Sequence, residues 1–419
     1  MKNNNTDVLK TKIAEFIIHN PALDTNFMNQ FYGVTLREKD TKTFYEFTTV
    51  VKHRAAGLSA TKISELTGIP KRKLEHWIFN ENSVFSIRLL EHYFTLGKIE
   101  KSHRYLSINS TRGGIFTGPW ITVPSQIQDY ADVEKVLDQL RPLTENEFYH
   151  NNISKAELFA YFLGFLIGDS SKTGIKRAQR TTRRVQVRLS IRYPSNEKVG
   201  EFVSLCANSI GLRMERRKDC PAGKLNPYPF YTWISQSSPL IQWIFEVCLG
   251  LDNDMLTTYD PIRSDWILSA PEIFRIRFIQ GLADSDGFVD FTARQAGIIT
   301  SPNTELIEKI LNSLNIKTTK RYFQSSKLWA LMMKPNDAYK LPIFNEYIKS
   351  YRYYEIESLC LAKRYNKWPK EFKEKVIANI KQGYSGTELV RKILKEEGVL
   401  ITTKHINKLR KSCNEETKK

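Results

Sequence analysis

Hydrophobic and polar residues in the middle of the chain follow helical and strand-like periods in alternation, and the order of these periods occurs twice. The first series predicts a helix at 156–169, a strand at 184–193, a helix at 197–212, strands at 213–217 and 231–235, and a helix at 239–250. The second series predicts a helix at 271–287, strands at 288–293 and 296–301, a helix at 303–316, strands at 317–323 and 327–333, and a helix at 343–364. The repeated order indicates two α-β-β-α-β-β-α units, at 153–270 and 271–365, in an α+β core.

The chain outside this repeat divides into three regions. Residues 1–100 are mostly helical in pattern, and residues 366–419 are helical with a strong basic bias. Residues 101–152 are rich in Gly, Pro, Ser and Thr, so we expect a connector with little periodic structure there. The sequence thus predicts a central core between an N-terminal all-α domain and a C-terminal helical module.

Residues 44–79 have the pattern of two short helices joined by a glycine turn. Ser59 can cap the first helix, Gly68 can supply the left-handed turn, and Pro70 fits the first turn of the second helix. The residues expected to face inward are Ile63, Leu66, Leu74, Trp77 and Ile78. The second helix opens with the cations Lys71, Arg72 and Lys73. This pattern is typical of a DNA-binding helix-turn-helix, and a helical hairpin in an interaction domain is the alternative.

Residues 386–411 have a related pattern of helix, turn at Gly398 and helix, with Thr403 as the expected cap of the second helix. The expected small core consists of Leu389, Val390, Ile393, Ile406 and Leu409. The cations of the second helix are Lys404, Lys408, Arg410 and Lys411. The alternative to a second helix-turn-helix is a basic tail helix that follows phosphate groups.

The leading helix of each predicted unit carries two small residues four positions apart. These pairs are Gly164 with Gly168, and Gly281 with Ser285. Residues at i and i+4 share a helix face, so each helix presents a smooth stripe that lets another helix approach closely. Asp169 and Asp286 follow directly after these stripes. If the stripes face each other, both carboxylates emerge at the same end of the helix pair.

Two carboxylates at helix C-termini are electrostatically unfavourable, because that end of the helix dipole is negative. A divalent cation between them would remove the conflict, and Mg²⁺ prefers oxygen ligands while keeping several waters for chemistry. Carboxylate-bound metal next to DNA is suited to hydrolysis of phosphodiesters. The alternative is a helix pair in a core, with both aspartates as solvated helix ends.

The segments FLGFLIGDS at 162–170 and IQGLADSDG at 279–287 resemble the LAGLIDADG motif of homing endonucleases. Two motifs in one chain imply a monomer with a pseudo-twofold axis, whose two sheets form a saddle over double-stranded DNA. The resemblance implies that Asp169 and Asp286 are catalytic ligands of Mg²⁺ or Mn²⁺. It also implies basic residues near the cleaved phosphates, for which Lys349 in the closing helix is the candidate in the second unit. The first motif departs from the family pattern at Ile167 and Ser170, and the closing helix of the first unit has no basic residue.

The strand at 184–192 alternates strictly between apolar and polar residues. Its polar side consists of Arg184, Gln186, Arg188, Ser190 and Arg192. Residues 172–192 contain eight basic residues and no acidic one, whereas a merely solvated sheet face normally mixes both signs. Arginine and glutamine on one strand face are suited to contacting guanine and adenine edges or phosphate, so this strand predicts DNA contact.

Charge and composition agree with a polyanionic partner. The chain has 63 Lys and Arg against 45 Asp and Glu, a net charge of +18, which favours phosphate contacts. The longest apolar run, at 159–168, is far shorter than the roughly 20 residues of a membrane span, and the N-terminus lacks the apolar core of a secretory signal. The five cysteines are scattered, which favours a reducing compartment, so we expect an intracellular, cytoplasmic protein associated with the nucleoid.

Three functions remain open on the sequence. The first is a metal-dependent, site-specific double-stranded DNA endonuclease. The second is a transcription regulator that binds DNA through the same fold without cleaving it. The third is an intron maturase, whose partner would be structured RNA.

Overall fold

The computed structural model describes most of the chain from residue 38 onwards. The described residues are 38–79, 103–110, 116–143, 153–173, 186–193, 195–223, 228–251, 261–291, 293–363, 365, 368–384 and 386–416. Helices and small antiparallel sheets alternate over this part of the chain, as an α+β core requires. Within these ranges no helix is both long enough and apolar enough to cross a membrane.

The N-terminal region contains α1 (Glu38–Ala55), α2 (Ala60–Thr67) and α3 (Lys71–Phe79). The Ser59 hydroxyl accepts a hydrogen bond from the backbone N–H of Lys62 and caps α2, while Gly68 adopts φ 71° in the turn, a conformation that favours glycine. Four of the five residues expected inside are buried, at no more than 4% exposed: Ile63, Leu74, Trp77 and Ile78. Leu66 was wrongly expected to face inward and is 57% exposed, because α2 is only eight residues long and buries one narrow face.

Residues 101–152 are more ordered than a connector. Strands β1 (His103–Ser110) and β2 (Phe116–Pro124) form an antiparallel hairpin, and α4 (Tyr130–Gln139) follows. Helix α4 turns its apolar side into the main core, and the indole N–H of Trp243 donates to the Pro124 carbonyl oxygen at 2.9 Å. The expectation of little periodic structure missed two strands and one helix, because the Gly, Pro, Ser and Thr content outweighed the apolar positions of β2 and the amphipathic pattern of α4.

The two repeated units share one order of elements, α-β-β-α-β-β-α. The first consists of α5 (Lys155–Asp169), β3 (Ser170–Thr173), β4 (Gln186–Arg192), α6 (Glu197–Ser209), β5 (Met214–Cys220), β6 (Phe230–Ser235) and α7 (Pro239–Trp243). The second consists of α8 (Glu272–Asp286), β7 (Gly287–Asp290), β8 (Gln295–Ile299), α9 (Thr304–Ser313), β9 (Thr318–Phe323), β10 (Leu328–Met333) and α10 (Pro335–Lys340). Both units contribute to one hydrophobic core.

The two four-stranded sheets have the same topology and the same register. Their strand orders are β3-β4-β6-β5 and β7-β8-β10-β9, with antiparallel pairing throughout. Ser170 follows the first motif helix and pairs with Leu189, and Gly287 follows the second and pairs with Ile298. Residues 186–190 of β4 therefore have counterparts at 295–299 of β8, and β4 extends two residues further.

The end of the second unit differs from the sequence expectation of one long closing helix. Helix α10, with Pro335 in its first turn, closes the unit, and α11 (Tyr351–Leu361) is an additional helix. Lys349 lies in the turn before α11 with φ 46°, so its expected place inside a helix was wrong. Strand β3 was also missed, because its residues Ser-Ser-Lys-Thr carry no hydrophobic alternation.

The C-terminal region contains α12 (Lys370–Lys381), α13 (Gly386–Glu397) and α14 (Thr403–Glu416). The five residues expected in its small core are buried or half-buried in the structure. The cap of α14 is Thr402 and not Thr403, because the Thr402 hydroxyl accepts from the backbone N–H of His405 at 3.3 Å. Arg391 on α13 pairs with Glu355 on α11 at 3.2 Å, which joins this region to the second unit.

Candidate functional site

The motif helices α5 and α8 approach each other through glycines. A Cβ atom on Gly164 would lie 1.9 Å from the Phe278 carbonyl oxygen, and one on Gly281 would lie 2.0 Å from the Tyr161 carbonyl oxygen. No side chain fits at these distances, so both positions require glycine. The two contacts are reciprocal, as expected for equivalent positions about a pseudo-twofold axis.

The C-terminal ends of the two helices also meet. A Cβ atom on Gly168 would lie 1.9 Å from the Ser285 hydroxyl oxygen and 3.1 Å from a carboxylate oxygen of Asp286. Asp169 is the next residue on α5, and the negative charge of Asp286 raises its pKa. The structure thus brings the two aspartates to one end of the helix pair.

The pKa values of both aspartates are shifted upwards. Burial of the carboxyl group, with a further contribution from the charge of Asp286, raises the pKa of Asp169 to about 7. Burial raises the pKa of Asp286 to about 6. The charge of Arg352 lowers both values, and that of Arg192 lowers the pKa of Asp169. The Asp169 side chain is nevertheless exposed and that of Asp286 is half-exposed, so a cation from solvent can reach both carboxylates.

Arg352 is the second-unit cation whose charge acts on both aspartates, and the sequence analysis missed it. Its guanidinium donates to the carbonyl oxygens of Asp284 and Ser285, the latter at 3.3 Å, at the C-terminal end of α8. A cation is favourable at that end of a helix. The sequence analysis predicted one continuous closing helix through this segment and therefore did not single out Arg352. The break at Lys349 begins α11 at Tyr351 and sets the position of Arg352.

Asp284, inside the second motif, is a buried connection between the two helices. Its carboxylate accepts from the Tyr161 hydroxyl at 2.8 Å, the Ser350 hydroxyl at 3.2 Å and the backbone N–H of Asn345 at 3.2 Å. Burial raises the pKa of Asp284 to about 6, although these hydrogen bonds favour the charged form. Asp284 therefore fixes the turn before α11 against both motif helices.

A buried cation fixes the other end of the helix pair. Arg277 on α8 is 5% exposed and pairs with Glu157 on α5 at 3.1 Å and with Glu346 at 2.8 Å. Its guanidinium also donates to the Tyr347 hydroxyl at 2.6 Å. A buried charge is costly unless its hydrogen bonds are satisfied, so these partners define the alignment of α5 with α8.

The predicted DNA-contacting strand β4 lies beside this site. Val187, Leu189 and Ile191 are buried, whereas Arg188 and Arg192 are exposed on the opposite face, as the alternating pattern predicts. The Gln186 side chain is half-buried and donates to the Ser235 carbonyl oxygen at 3.2 Å. Arg184 lies outside the described residues.

The cations of the flanking regions differ in their surroundings. Lys73 pairs with Glu46 at 2.6 Å and lies over the Trp77 ring, so the protein itself neutralises it, while Lys71 pairs with Glu75 at 3.9 Å. Arg72 is exposed on α3.

In the C-terminal region Lys404 and Lys408 are exposed on α14. Arg410 donates to the Tyr384 carbonyl oxygen, which ties it to the end of α12. Lys349 is also exposed, in the turn before α11.

The oxygen donors of the site suit a hard divalent cation. They come from Asp169 and Asp286, and among the described residues no group of three or more His, Cys, Asp or Glu is arranged to hold a metal. Mg²⁺ is held in many enzymes by one or two carboxylates together with water and substrate phosphate. The pair therefore fits Mg²⁺ or Mn²⁺ when phosphate oxygens complete the coordination.

Comparisons with known proteins give structural neighbours only. No family model and no curated protein matches the chain by sequence. The homing endonuclease I-DmoI, solved with DNA and Mn, is similar at TM-score 0.33 and 16% identity, over 45% of this chain and 94% of I-DmoI. The N-terminal LAGLIDADG domain of WhiA is similar at TM-score 0.29 and 14% identity, over 46% of this chain and 84% of that one. Full-length WhiA from Thermatoga maritima is similar at TM-score 0.32 and 14% identity, over 58% and 75%. We transfer no residue role from these neighbours, because the TM-scores are low.

Proposed function

We propose that this chain binds double-stranded DNA and hydrolyses its phosphodiester bonds with a divalent metal held by Asp169 and Asp286. One observation carries the proposal: equivalent carboxylates from two repeated units meet at one end of a close-packed helix pair. Two packed carboxylates with raised pKa values are a costly arrangement, and such clusters are more common at functional sites than elsewhere. Both carboxylates come from one chain, so the site is complete in a monomer.

The carboxylates would hold Mg²⁺ or Mn²⁺ together with phosphate oxygens of the DNA. When bound, the metal would lower the pKa of a coordinated water and offset negative charge on the phosphate. Asp169 and Asp286 must lose their protons to bind it, and their pKa values place that step near neutral pH. Arg352 acts as a positioning residue, because it holds the carbonyl end of α8 from which Asp286 projects.

The DNA would lie across the outer face of β4. Arg188 and Arg192 are exposed there, and arginine pairs with guanine edges and with phosphate. Arg192 also lies near enough to Asp169 for its charge to lower the pKa of that carboxyl. This placement favours a duplex that passes over both the strand and the carboxylates.

We further propose that the flanking helices lengthen the contact with DNA. In the N-terminal region α2 and α3 would act as a helix-turn-helix, with Lys71 and Arg72 at the start of α3. In the C-terminal region Lys404 and Lys408 would contact phosphate. Lys73 and Arg410 are occupied by partners within the protein, so we expect smaller roles for them.

A regulator that binds DNA without cleaving it is the second candidate. The observation that favours it is the position of Arg352, a cation that already offsets the two carboxylates. Because the charge of Arg352 already offsets the negative charge of the two carboxylates, both can persist in a protein that binds no metal. The two candidates share the DNA interface and differ in chemistry alone.

The test starts from duplexes with a random central segment, from which the full chain selects its ligands in Ca²⁺. Exchange of Ca²⁺ for Mg²⁺ on the selected duplexes should then produce breaks in both strands. Tight, salt-sensitive binding without breaks would favour the regulator. Failure to enrich any duplex would overturn the proposed DNA binding.

A further inference from the structure

The matching registers of the two sheets allow their outer faces, turned away from the hydrophobic core, to be compared position by position. Arg188 of β4 directly precedes Leu189 and pairs with Ile234 of β6. The residue at the same place in β8 is Gly297, which pairs with Met332. By the same register Ser190 corresponds to Ile299.

Gly297 has no room for a side chain. A Cβ atom there would lie 2.4 Å from Cζ of Phe288 and 2.9 Å from the sulfur of Met332. The Phe288 ring thus covers the position that corresponds to Arg188, and it packs edge-on against Phe323 at 5.8 Å between ring centroids. An arginine at position 297 would require Phe288 to move.

Strand β10, which pairs with β8 in the second sheet, is also buried on its outer face. Ala330 and Met332 point to the same outer face and are 0% and 2% exposed. A side chain that is fully buried cannot contact a base edge or a phosphate. The corresponding strand of the first sheet places the buried Thr232 and the half-buried Ile234 on this face. The first sheet differs in the adjacent strand β4, where Ser190 and Arg188 are exposed.

The cation on the outer face of β9 is compensated within the sheet. Arg321 pairs with Asp290 at 3.3 Å, and its guanidinium lies over the Phe323 ring at 4.8 Å. Gln295, the counterpart of Gln186, remains half-exposed at the edge of this face. The outer face of the second sheet is therefore largely apolar around Gly297, whereas that of the first carries the exposed Arg188 and Arg192, the latter over the Tyr228 ring at 4.8 Å.

We propose that the two sheets contact the duplex unequally: the first sheet discriminates base pairs, and the second lies over its half of the site without sequence preference. This inference rests on the DNA binding proposed above. Base edges in the major groove are distinguished by hydrogen-bond donors and acceptors, and the first outer face presents Arg188 where the second has Gly297 under the Phe288 ring. On the second face Gln295 lies at the edge, and Arg321 is paired with Asp290.

The experiment selects duplexes from a random pool with three full-length proteins. These are the wild type, the double variant Arg188→Ala with Arg192→Ala, and the matched double variant Gln295→Ala with Arg321→Ala. We expect the first double variant to lose base preference over one contiguous block of the wild-type motif. Its affinity for the wild-type ligand should fall about tenfold or more, the scale of losing bidentate base contacts. The second double variant should keep the motif and bind within about twofold, as substitutions outside an interface do.

The inference is overturned if the Gln295 and Arg321 variant also loses a block of base preferences, or if the Arg188 and Arg192 variant keeps the full motif. Enrichment of no sequence by the wild type would instead overturn the proposed DNA binding, and the inference with it. Thermal unfolding of all three proteins separates lost contacts from lost folding, since all four substituted side chains lie at least partly at the surface.

Discussion

The two sheets of the core have one topology and two different outer faces. On the side that faces the motif helices, equivalent positions are apolar in both, as at Leu189 and Ile298. On the other side Arg188 of the first sheet corresponds to Gly297 of the second, under the Phe288 ring. Core packing therefore constrains one face of each sheet, while the opposite face can diverge within a repeated fold.

In the helix pair α5 and α8, the steric contacts are equivalent in the two helices and the polar contacts are not. The glycines at the crossing are reciprocal, because close approach of two backbones makes the same demand on both helices. The polar anchors are not reciprocal, since Asp284 and Arg277 both belong to α8 and find partners on α5. The steric requirement is therefore symmetric, and the electrostatic solution is not.

Substitutions in the close-packed helix pair α5 and α8 should have the largest effect. Gly281→Ala places a methyl group against the Tyr161 carbonyl oxygen, and overpacking of this kind costs about 3 kcal/mol of unfolding free energy. Urea unfolding followed by circular dichroism measures it. Gly223→Ala is the control, because a Cβ there meets nothing within 4 Å.

Gly168→Ala gives a graded comparison with Gly281→Ala. The three atoms nearest to the added methyl group belong to side chains and not to the backbone. The Ser285 hydroxyl, at 1.9 Å, can rotate away, whereas the Ser285 Cβ, at 2.6 Å, can retreat only if the helix ends move slightly apart. We therefore expect a smaller loss of stability than at Gly281, about 1 kcal/mol. Equal losses at the two positions would mean that the helix ends are as tightly fixed as the crossing.

Substitution of one arginine in each sheet tests whether the two outer faces contribute unequally to DNA affinity. Arg188→Ala should weaken binding to a selected duplex by about tenfold, and Arg321→Ala by less than about twofold. Fluorescence anisotropy over a series of salt concentrations measures both affinity and its salt dependence. The slope against salt should become shallower by about one for each lost phosphate contact, and only in the first-sheet variant. Equal effects of the two substitutions would contradict unequal sheets.

The smallest expected effect is a shift of a pH profile. The raised pKa values of Asp169 and Asp286 mean that protons compete with a metal below about pH 7 and pH 6, so Mn²⁺ binding should strengthen as the pH rises from 5 to 8. Arg352 lowers both values, so Arg352→Gln should move the rise to higher pH, and Arg352→Lys should not. Electron paramagnetic resonance of free Mn²⁺ measures the binding. A flat profile over this range would show that the carboxylates do not take up the metal.

Much of the fold follows from local pattern. The alternation over β4 predicted its two faces, and the repeated helical and strand-like periods predicted the order of both units apart from β3 and the break before α11. The hairpin β1–β2 and strand β3 were missed, because turn-forming or polar composition outweighed short apolar segments. The break before α11 was missed because the left-handed backbone at Lys349 leaves no mark in the hydrophobic pattern.

The candidate site was only partly predictable. The repeated position of Asp169 and Asp286 after the small residues pointed to both aspartates, while their role in metal binding stays a prediction. Arg352 and the buried hydrogen bonds of Asp284 depend on contacts between distant segments, which no local pattern contains. The covering of Gly297 by Phe288 has the same origin, since it depends on the pairing of β7 with β8.

The proposed metal site at Asp169 and Asp286 is tested by following each DNA strand separately while a selected duplex is incubated with Mg²⁺. The proteins are the wild type, Asp169→Asn, Asp286→Asn and the control Asp290→Asn, whose carboxylate lies on the outer face of the second sheet. We expect breaks in both strands with the wild type and the control, and none with the other two variants, whose affinity in Ca²⁺ should stay within a few-fold. Cleavage by Asp169→Asn or Asp286→Asn at the wild-type rate would contradict the metal site between the helices.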